Sequence, residues 1–99
     1  MMELAWTPEA IQDREDIYDY IESENPLAAL ALDELFSDKA DLLVDHPYSG
    51  REGKTTGTQE LVVHHHYMLV YDVVGPQVRV LSVVHTARQW PPARKRKGG

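Results

Sequence analysis

Pro47 divides the chain into two parts with different hydrophobic periods. Before it, apolar residues recur every three or four positions, which is typical of one face of an α-helix. After it, short runs rich in Val, Leu and Tyr alternate with polar turns, which is typical of strands. Because the proline ring cannot continue a helix, the helical part is predicted to end there. The chain is therefore predicted to have an α+β fold.

Two helices that begin at a proline are predicted before Pro47. Thr7-Pro8 and Asn25-Pro26 each place a capping side chain before a proline, which fits the first helical position. The first helix is predicted over 8–23, with a buried side formed by Ile11, Ile17, Tyr18 and Ile21. The second is predicted over 26–45, with a buried side formed by Ala28, Ala31, Leu32, Leu35, Leu42 and Leu43. The short link predicts an antiparallel hairpin.

Strands are predicted at the start of the chain and after a polar loop at 48–57. The first covers 3–6, and the others cover 59–63, 67–74 and 78–84, with turns at 64–66 and 75–77. The predicted order is β-α-α-β-β-β. A helical hairpin packed on one face of a curved, mostly antiparallel four-stranded sheet is the expected architecture.

Length and composition predict one domain in a reducing compartment. A chain of 99 residues builds a single core, here predicted over residues 1–92, followed by a disordered basic tail at 93–99. There is no cysteine, so neither disulfides nor thiolate metal sites are expected. The sequence contains neither a signal-peptide pattern nor an apolar run long enough to span a bilayer. A cytoplasmic location is expected.

The two halves of the chain carry opposite charges. Residues 1–50 contain 13 acidic and 2 basic side chains, whereas residues 51–99 contain 3 acidic and 8 basic ones. Such a division indicates two surfaces with different partners, the basic one facing an anionic target. A solvated acidic helical face together with a basic tail explains much of the same asymmetry.

Four segments, taken in order, resemble toxins of the RelE/ParE superfamily from bacterial type II toxin–antitoxin pairs. They are the opening Met2–Thr7, the segment Asp45–Arg51, the hairpin from Gly57 to Tyr71, and the ending from Val80 to Pro91. Each motif alone is loose, but the order is specific and covers residues 2–91. The resemblance implies a cognate antitoxin protein as partner. It also implies one of two targets: the ribosome with its messenger RNA, or DNA gyrase.

Cleavage of RNA through its own 2′-hydroxyl needs a base, a cation near the phosphate and an acid, and it needs neither metal nor cofactor. Histidine suits both proton roles. The candidate catalytic residues are His46, His66, His85 and Arg88, and one rim of the sheet could bring the histidines together. The alternative interpretation makes His46 a helix cap and His85 a strand-end residue bonded to backbone. Asp45-His46-Pro47, His85 and Tyr67 resemble the YafQ-like nucleases.

The candidate substrate- or target-binding residues are Arg51, Lys54, Tyr67 and Trp90. Arg51 and Lys54 lie on the glycine-containing loop, which lacks the spacing of a phosphate-binding loop. Trp6 and Trp90 are interpreted first as packing residues, and Tyr71 as a core residue. Three consecutive histidines, His64 to His66, cannot all face one ion from an extended strand, so no metal site is predicted.

Three hypotheses follow for the function. The first, slightly favoured, is a ribosome-dependent endoribonuclease that cleaves messenger RNA. The second is a ParE-like, non-enzymatic inhibitor of DNA gyrase, because the ending His85–Pro91 resembles that branch and Met68 stands where RelE-like nucleases place arginine. The third is a detoxified relative that retains only antitoxin binding, because many close relatives would carry arginine where this chain has Gln59.

Overall fold

The computed structural model describes residues 2–86. Seven elements follow one another along this part of the chain: β1 (Glu3–Trp6), α1 (Pro8–Glu22), α2 (Pro26–Asp45), β2 (Arg51–Glu52), β3 (Gln59–His64), β4 (Tyr67–Val74) and β5 (Gln77–His85). The strands form one sheet in the order β1-β5-β4-β3-β2. β1 is parallel to β5, and the other neighbours are antiparallel. The predicted α+β class is confirmed.

The sheet has five strands, one more than the sequence predicts. The sequence predicts a loop at Arg51 and Glu52, but these residues pair with Glu60 and Gln59 and form β2. A strand of two residues has no period of its own, so only its partner strand reveals it.

The capping signals place both helices correctly. The Thr7 hydroxyl accepts a hydrogen bond from the Ala10 N–H at 3.1 Å, and the Asn25 side chain accepts one from the Ala28 N–H at 3.1 Å. A proline stands in the first turn of each helix, where its missing N–H costs little. Neither helix within residues 2–86 has both the length and the apolar character needed to cross a membrane.

The buried side of α2 differs from the predicted one. Leu43 is buried and Leu32 and Leu35 are half-buried, as expected, whereas Ala28, Ala31 and Leu42 are exposed. The buried positions that the pattern missed are Ala29, Phe36 and Ala40. Apolar residues occur on several sides of α2, so the sequence period alone does not choose the side that meets the sheet. In α1, Ile11 is likewise 46% exposed, and Ala10 is the buried residue.

α2 runs along the sheet in the direction that leads from Tyr67 to Tyr71 on β4. Near its middle, Phe36 packs edge-to-face against Tyr67, with ring centroids 5.9 Å apart. Two turns later, Leu43 packs with Tyr71 and Val78 in a buried cluster. The C-terminal end of α2 therefore lies over the far end of β5 from His85.

α1 covers the part of β5 that β1 does not reach. β1 pairs only as far as Val80. Beyond it, the Thr7 hydroxyl donates to the Leu81 carbonyl at 3.1 Å. Asp13 then accepts from the Ser82 hydroxyl at 2.6 Å and from the Val83 N–H at 2.9 Å. These bonds satisfy an edge that would otherwise present open backbone groups.

Candidate functional site

Four histidines and a tyrosine meet where β3 and β5 end and β4 begins. We call this group the histidine rim: His64, His65, His66, Tyr67 and His85. The β3–β4 turn brings His65 and His66 together, as the predicted hairpin requires. Tyr67 pairs with His64 on one side and with His85 on the other. The rim therefore forms from strand register and not from sequence proximity alone.

The rings of the histidine rim form a continuous set of contacts. His64 and His65 stack with centroids 4.1 Å apart, and His65 lies 4.1 Å from His66. His66 stacks on His85 at 5.4 Å, and Tyr67 meets His85 edge-to-face at 5.3 Å. Sequence reasoning found His66, Tyr67 and His85 but not the contribution of His64 and His65.

His64 also bonds to the turn backbone. Its Nδ1 accepts a hydrogen bond from the His66 N–H at 3.2 Å. Burial lowers the pKa of His64 below its usual value of 6.5, and the neighbouring His65 and His66 lower it further. Neutral His64 is therefore the form that this arrangement favours.

The turn also holds the end of β5. The Thr86 N–H donates to the His66 carbonyl at 2.8 Å, and the Thr86 hydroxyl donates to the His65 carbonyl at 3.0 Å. The end of β5 and the β3–β4 turn are thus one connected unit.

The loop residues Arg51 and Lys54 lie around a buried carboxylate. Glu60 is only 6% exposed, and its side chain accepts from Arg51 Nε at 3.1 Å and from the Lys54 N–H at 3.4 Å. Arg51 is 64% exposed and also reaches Met68 Sδ at 3.9 Å. Arg51 therefore already has an anionic partner, one that sequence reasoning did not identify.

Gln59 bonds to Tyr71. Tyr71 is fully buried, which confirms the prediction that it is a core residue. The Tyr71 hydroxyl donates to Gln59 Oε1 at 3.2 Å and accepts from the Gly50 N–H at 3.0 Å. Burial raises the pKa of Tyr71, while the bond from Gly50 opposes the shift. A Cβ on Gly50 would lie 2.7 Å from the Glu60 carbonyl oxygen, so glycine is required for this close approach.

His46 lies away from the histidine rim. It caps the C-terminal end of α2, its backbone N–H bonds to the Leu42 carbonyl, and its side chain is exposed. It follows Leu43, which packs near Tyr71 and Val78. Val78 and His85 are seven positions apart along β5, which corresponds to about 23 Å. The structure therefore does not bring His46 and His85 together at one rim.

Two further arginines of the helices and sheet, Arg79 and Arg14, are also paired. Arg79 bonds to Asp72 at 2.6 Å, and this carboxylate raises the pKa of Arg79. Arg14 bonds to Asp33 at 2.9 Å and lies 4.5 Å above the ring of Trp6. Trp6 packs against the buried core, which confirms it as a packing residue. Arg88 and Trp90 lie outside the described residues. Within residues 2–86, no group of three or more acidic, histidine or cysteine side chains is arranged to hold a metal ion.

The geometry defines a five-stranded sheet with a helical hairpin on one side and a rim of aromatic and imidazole rings. The family model of the ParE toxin of the type II toxin–antitoxin system, parDE, matches residues 4–90. The chain belongs to this family of toxins, and the superfamily resemblance seen in the sequence is confirmed.

Two proteins and two solved structures illustrate the similarity. The chain is 32% identical to Y4kP of Sinorhizobium fredii over 89% of its own length and 92% of that protein. It is 35% identical to Toxin RelE2 of Caulobacter vibrioides over 89% of its own length and 99% of that protein. A chain of the chromosomal ParDE system from P. aeruginosa has a TM-score of 0.77 at 25% identity, and the match covers 86% of this chain and 96% of that chain. A chain of the YoeB dimer from Staphylococcus aureus has a TM-score of 0.59 at 14% identity, and the match covers 84% of this chain and 94% of that chain. At this identity the match shows the fold alone.

Proposed function

We propose that this type II toxin inhibits growth by binding DNA gyrase in the cytoplasm, and that a cognate antitoxin neutralises it. The observation that carries the choice of target is the distance between His46 and His85. A nuclease that used this pair would need both imidazoles within hydrogen-bond reach of one phosphodiester. His46 lies near the Val78 end of β5, and His85 lies at the other end, about 23 Å away along the strand.

The state of the cations supports the same choice. Stabilising the extra charge on a phosphate under attack requires a cation aimed at it. Arg51 and Arg79 are each bonded to a carboxylate, and Met68 lies beside Arg51 on the sheet. This arrangement fits a protein-binding surface better than a phosphate-binding one.

The comparisons give further support. Among the solved structures described above, the ParDE chain superimposes better than the YoeB chain, with TM-scores of 0.77 and 0.59. The resemblance links the ParE-like branch to gyrase, so we extend that target to this chain.

A cognate antitoxin is supported by the helical hairpin as well as by the ParDE structure, which is of a toxin–antitoxin system. Tyr20 is 75% exposed and Leu27 is 79% exposed, on the last turn of α1 and the first turn of α2. Leu30 of α2 is 47% exposed as well. Exposed apolar patches are typical of protein-binding surfaces. The acidic charge of residues 1–50 favours a partner with basic side chains.

Ribosome-dependent RNA cleavage is the second candidate, and one observation favours it. The ring centroids of His66 and His85 are 5.4 Å apart, and the Tyr67 ring contacts His85. Two imidazoles therefore lie near enough to serve one reaction. Primer extension on a defined messenger RNA in a bacterial translation extract separates the two candidates. We expect intact RNA after addition of the purified toxin.

The variants His66→Ala and His85→Ala sharpen that experiment. New 5′ ends that appear only with ribosomes, and disappear in these variants but not in Gln12→Ala on the exposed face of α1, would overturn the gyrase proposal. The third hypothesis, a detoxified relative, predicts that cells expressing the chain without antitoxin grow normally. Our proposal predicts that they stop growing.

A further inference from the structure

The hydrogen bond inside the β3–β4 turn depends on the protonation state of one histidine. The His66 N–H donates to His64 Nδ1, which can accept only while that nitrogen carries no proton. Neutral His64 therefore carries its proton on Nε2. When His64 becomes cationic, both ring nitrogens are donors, and the His66 N–H faces another donor instead of an acceptor.

Charge repulsion acts in the same direction as the lost bond. The His64 ring lies 4.1 Å from His65 and 5.7 Å from His66, so protonation of one imidazole disfavours the next. β4 contributes the Tyr67 ring at 6.4 Å, and β5 contributes His85, which contacts His66. α2 contributes the apolar Phe36 ring against Tyr67. None of the three ion pairs among residues 2–86 involves His64, His65 or His66.

We propose that the β3–β4 turn is a proton-operated switch, with His64 as its sensor: neutral His64 holds the turn closed, and protonated His64 opens it. The opening extends to the end of β5, because Thr86 bonds to the carbonyls of both His65 and His66. Acidification therefore remodels the histidine rim together with the end of β5.

The consequence for activity rests on the proposed function, because it assumes that the rim contacts the target. On that assumption, target binding weakens as pH falls below 6.5, the ordinary histidine value. The switch itself does not depend on the target. A structural readout on the free toxin therefore distinguishes failure of the switch from failure of the gyrase proposal.

The test is an NMR titration of the toxin from pH 7.5 to 5.0 that follows the His64 ring and the His66 amide together. We expect both signals to move with the same midpoint, below 6.5. Different midpoints, or a His66 amide that does not move while the His64 ring titrates, would overturn the proposal. This comparison needs no variant.

Three variants add specificity to the titration. His64→Asn supplies a side-chain oxygen that can accept in place of Nδ1 but does not titrate, so the His66 amide signal should become independent of pH. His65→Asn removes a repelling charge, so the His64 midpoint should rise. His46→Asn, at the far end of α2, should change neither signal. A transition that persists unchanged in His64→Asn would contradict the switch.

Discussion

Tyr71 connects the sheet to the loop that precedes β3. Its ring lies in the core, while its hydroxyl bonds to Gln59 and to the Gly50 N–H. A buried polar group needs such partners, because an unsatisfied one costs about 1–3 kcal/mol. Gln59, which the sequence suggested as a sign of lost toxicity, has a structural role as the acceptor for this hydroxyl.

Tyr71→Phe tests that role. The variant keeps the ring but leaves the Gly50 N–H without its acceptor, so the free energy of unfolding should fall by about 1–3 kcal/mol. Urea denaturation measures the loss. Tyr48→Phe is the matched control, because Tyr48 is 69% exposed, and it should change stability by less than about 0.5 kcal/mol. Equal effects of the two substitutions would contradict the assigned role.

His64 gives the stability of the fold a pH dependence. Its pKa in the folded state lies below 6.5, so between these values the unfolded chain binds more protons than the folded one. Stability must therefore fall as pH falls from 6.5 through the lowered pKa. Urea midpoints at pH 7.5 and 5.5 should differ less in His64→Asn than in the unchanged protein. An identical pH dependence in both proteins would exclude this contribution of His64.

At the scale of elements, the capping residues carried most of the predictable information. Thr7-Pro8, Asn25-Pro26 and Pro47 fix where the helices begin and end because their effects are local. The runs of alternating residues likewise located β4 and β5. The sequence did not reveal β2 or the buried side of α2, since both depend on residues distant in the chain.

The same limit applies to the candidate site. The three consecutive histidines predicted a turn, and the turn is there, but their stacking on one another and on His85 depends on strand register. His46 and His85 looked like partners because both end an element. Only the direction of α2 along the sheet reveals that these are opposite ends.

Asp13 offers a test at this scale, since it joins α1 to the uncovered part of β5. Asp13→Ala removes the acceptor of the Ser82 hydroxyl and of the Val83 N–H, and should cost about 2 kcal/mol or more. Asp16→Ala, on the exposed side of the same helix, should cost far less. Hydrogen exchange at the Val83 amide should accelerate only in the first variant. Unchanged protection there would show that Asp13 does not close the edge.

At the scale of the whole molecule, the charge division coincides with the architecture. The acidic half forms β1 and the helical hairpin, whereas the basic half supplies the other strands and their loops. Within the described residues, Arg51 and Arg79 are held by carboxylates of their own sheet. The sheet is therefore less cationic than the sequence count indicates, which favours a protein target over a phosphate backbone.

The separation of His46 from the histidine rim predicts how the toxin tolerates a substitution. His46→Ala should leave growth inhibition unchanged, because the residue caps a helix away from the rim. A positioned proton donor or acceptor contributes about 10²- to 10⁴-fold to a reaction. Loss of toxicity in this variant, with antitoxin binding intact, would therefore return His46 to a catalytic role.

The most direct test of gyrase as the target is the supercoiling activity of purified DNA gyrase in the presence of the purified toxin. If gyrase is the target, relaxed plasmid should stay relaxed as toxin is added, and prior addition of the cognate antitoxin should restore supercoiling. Full supercoiling by gyrase, with a toxin preparation that still arrests growth in cells, would contradict it.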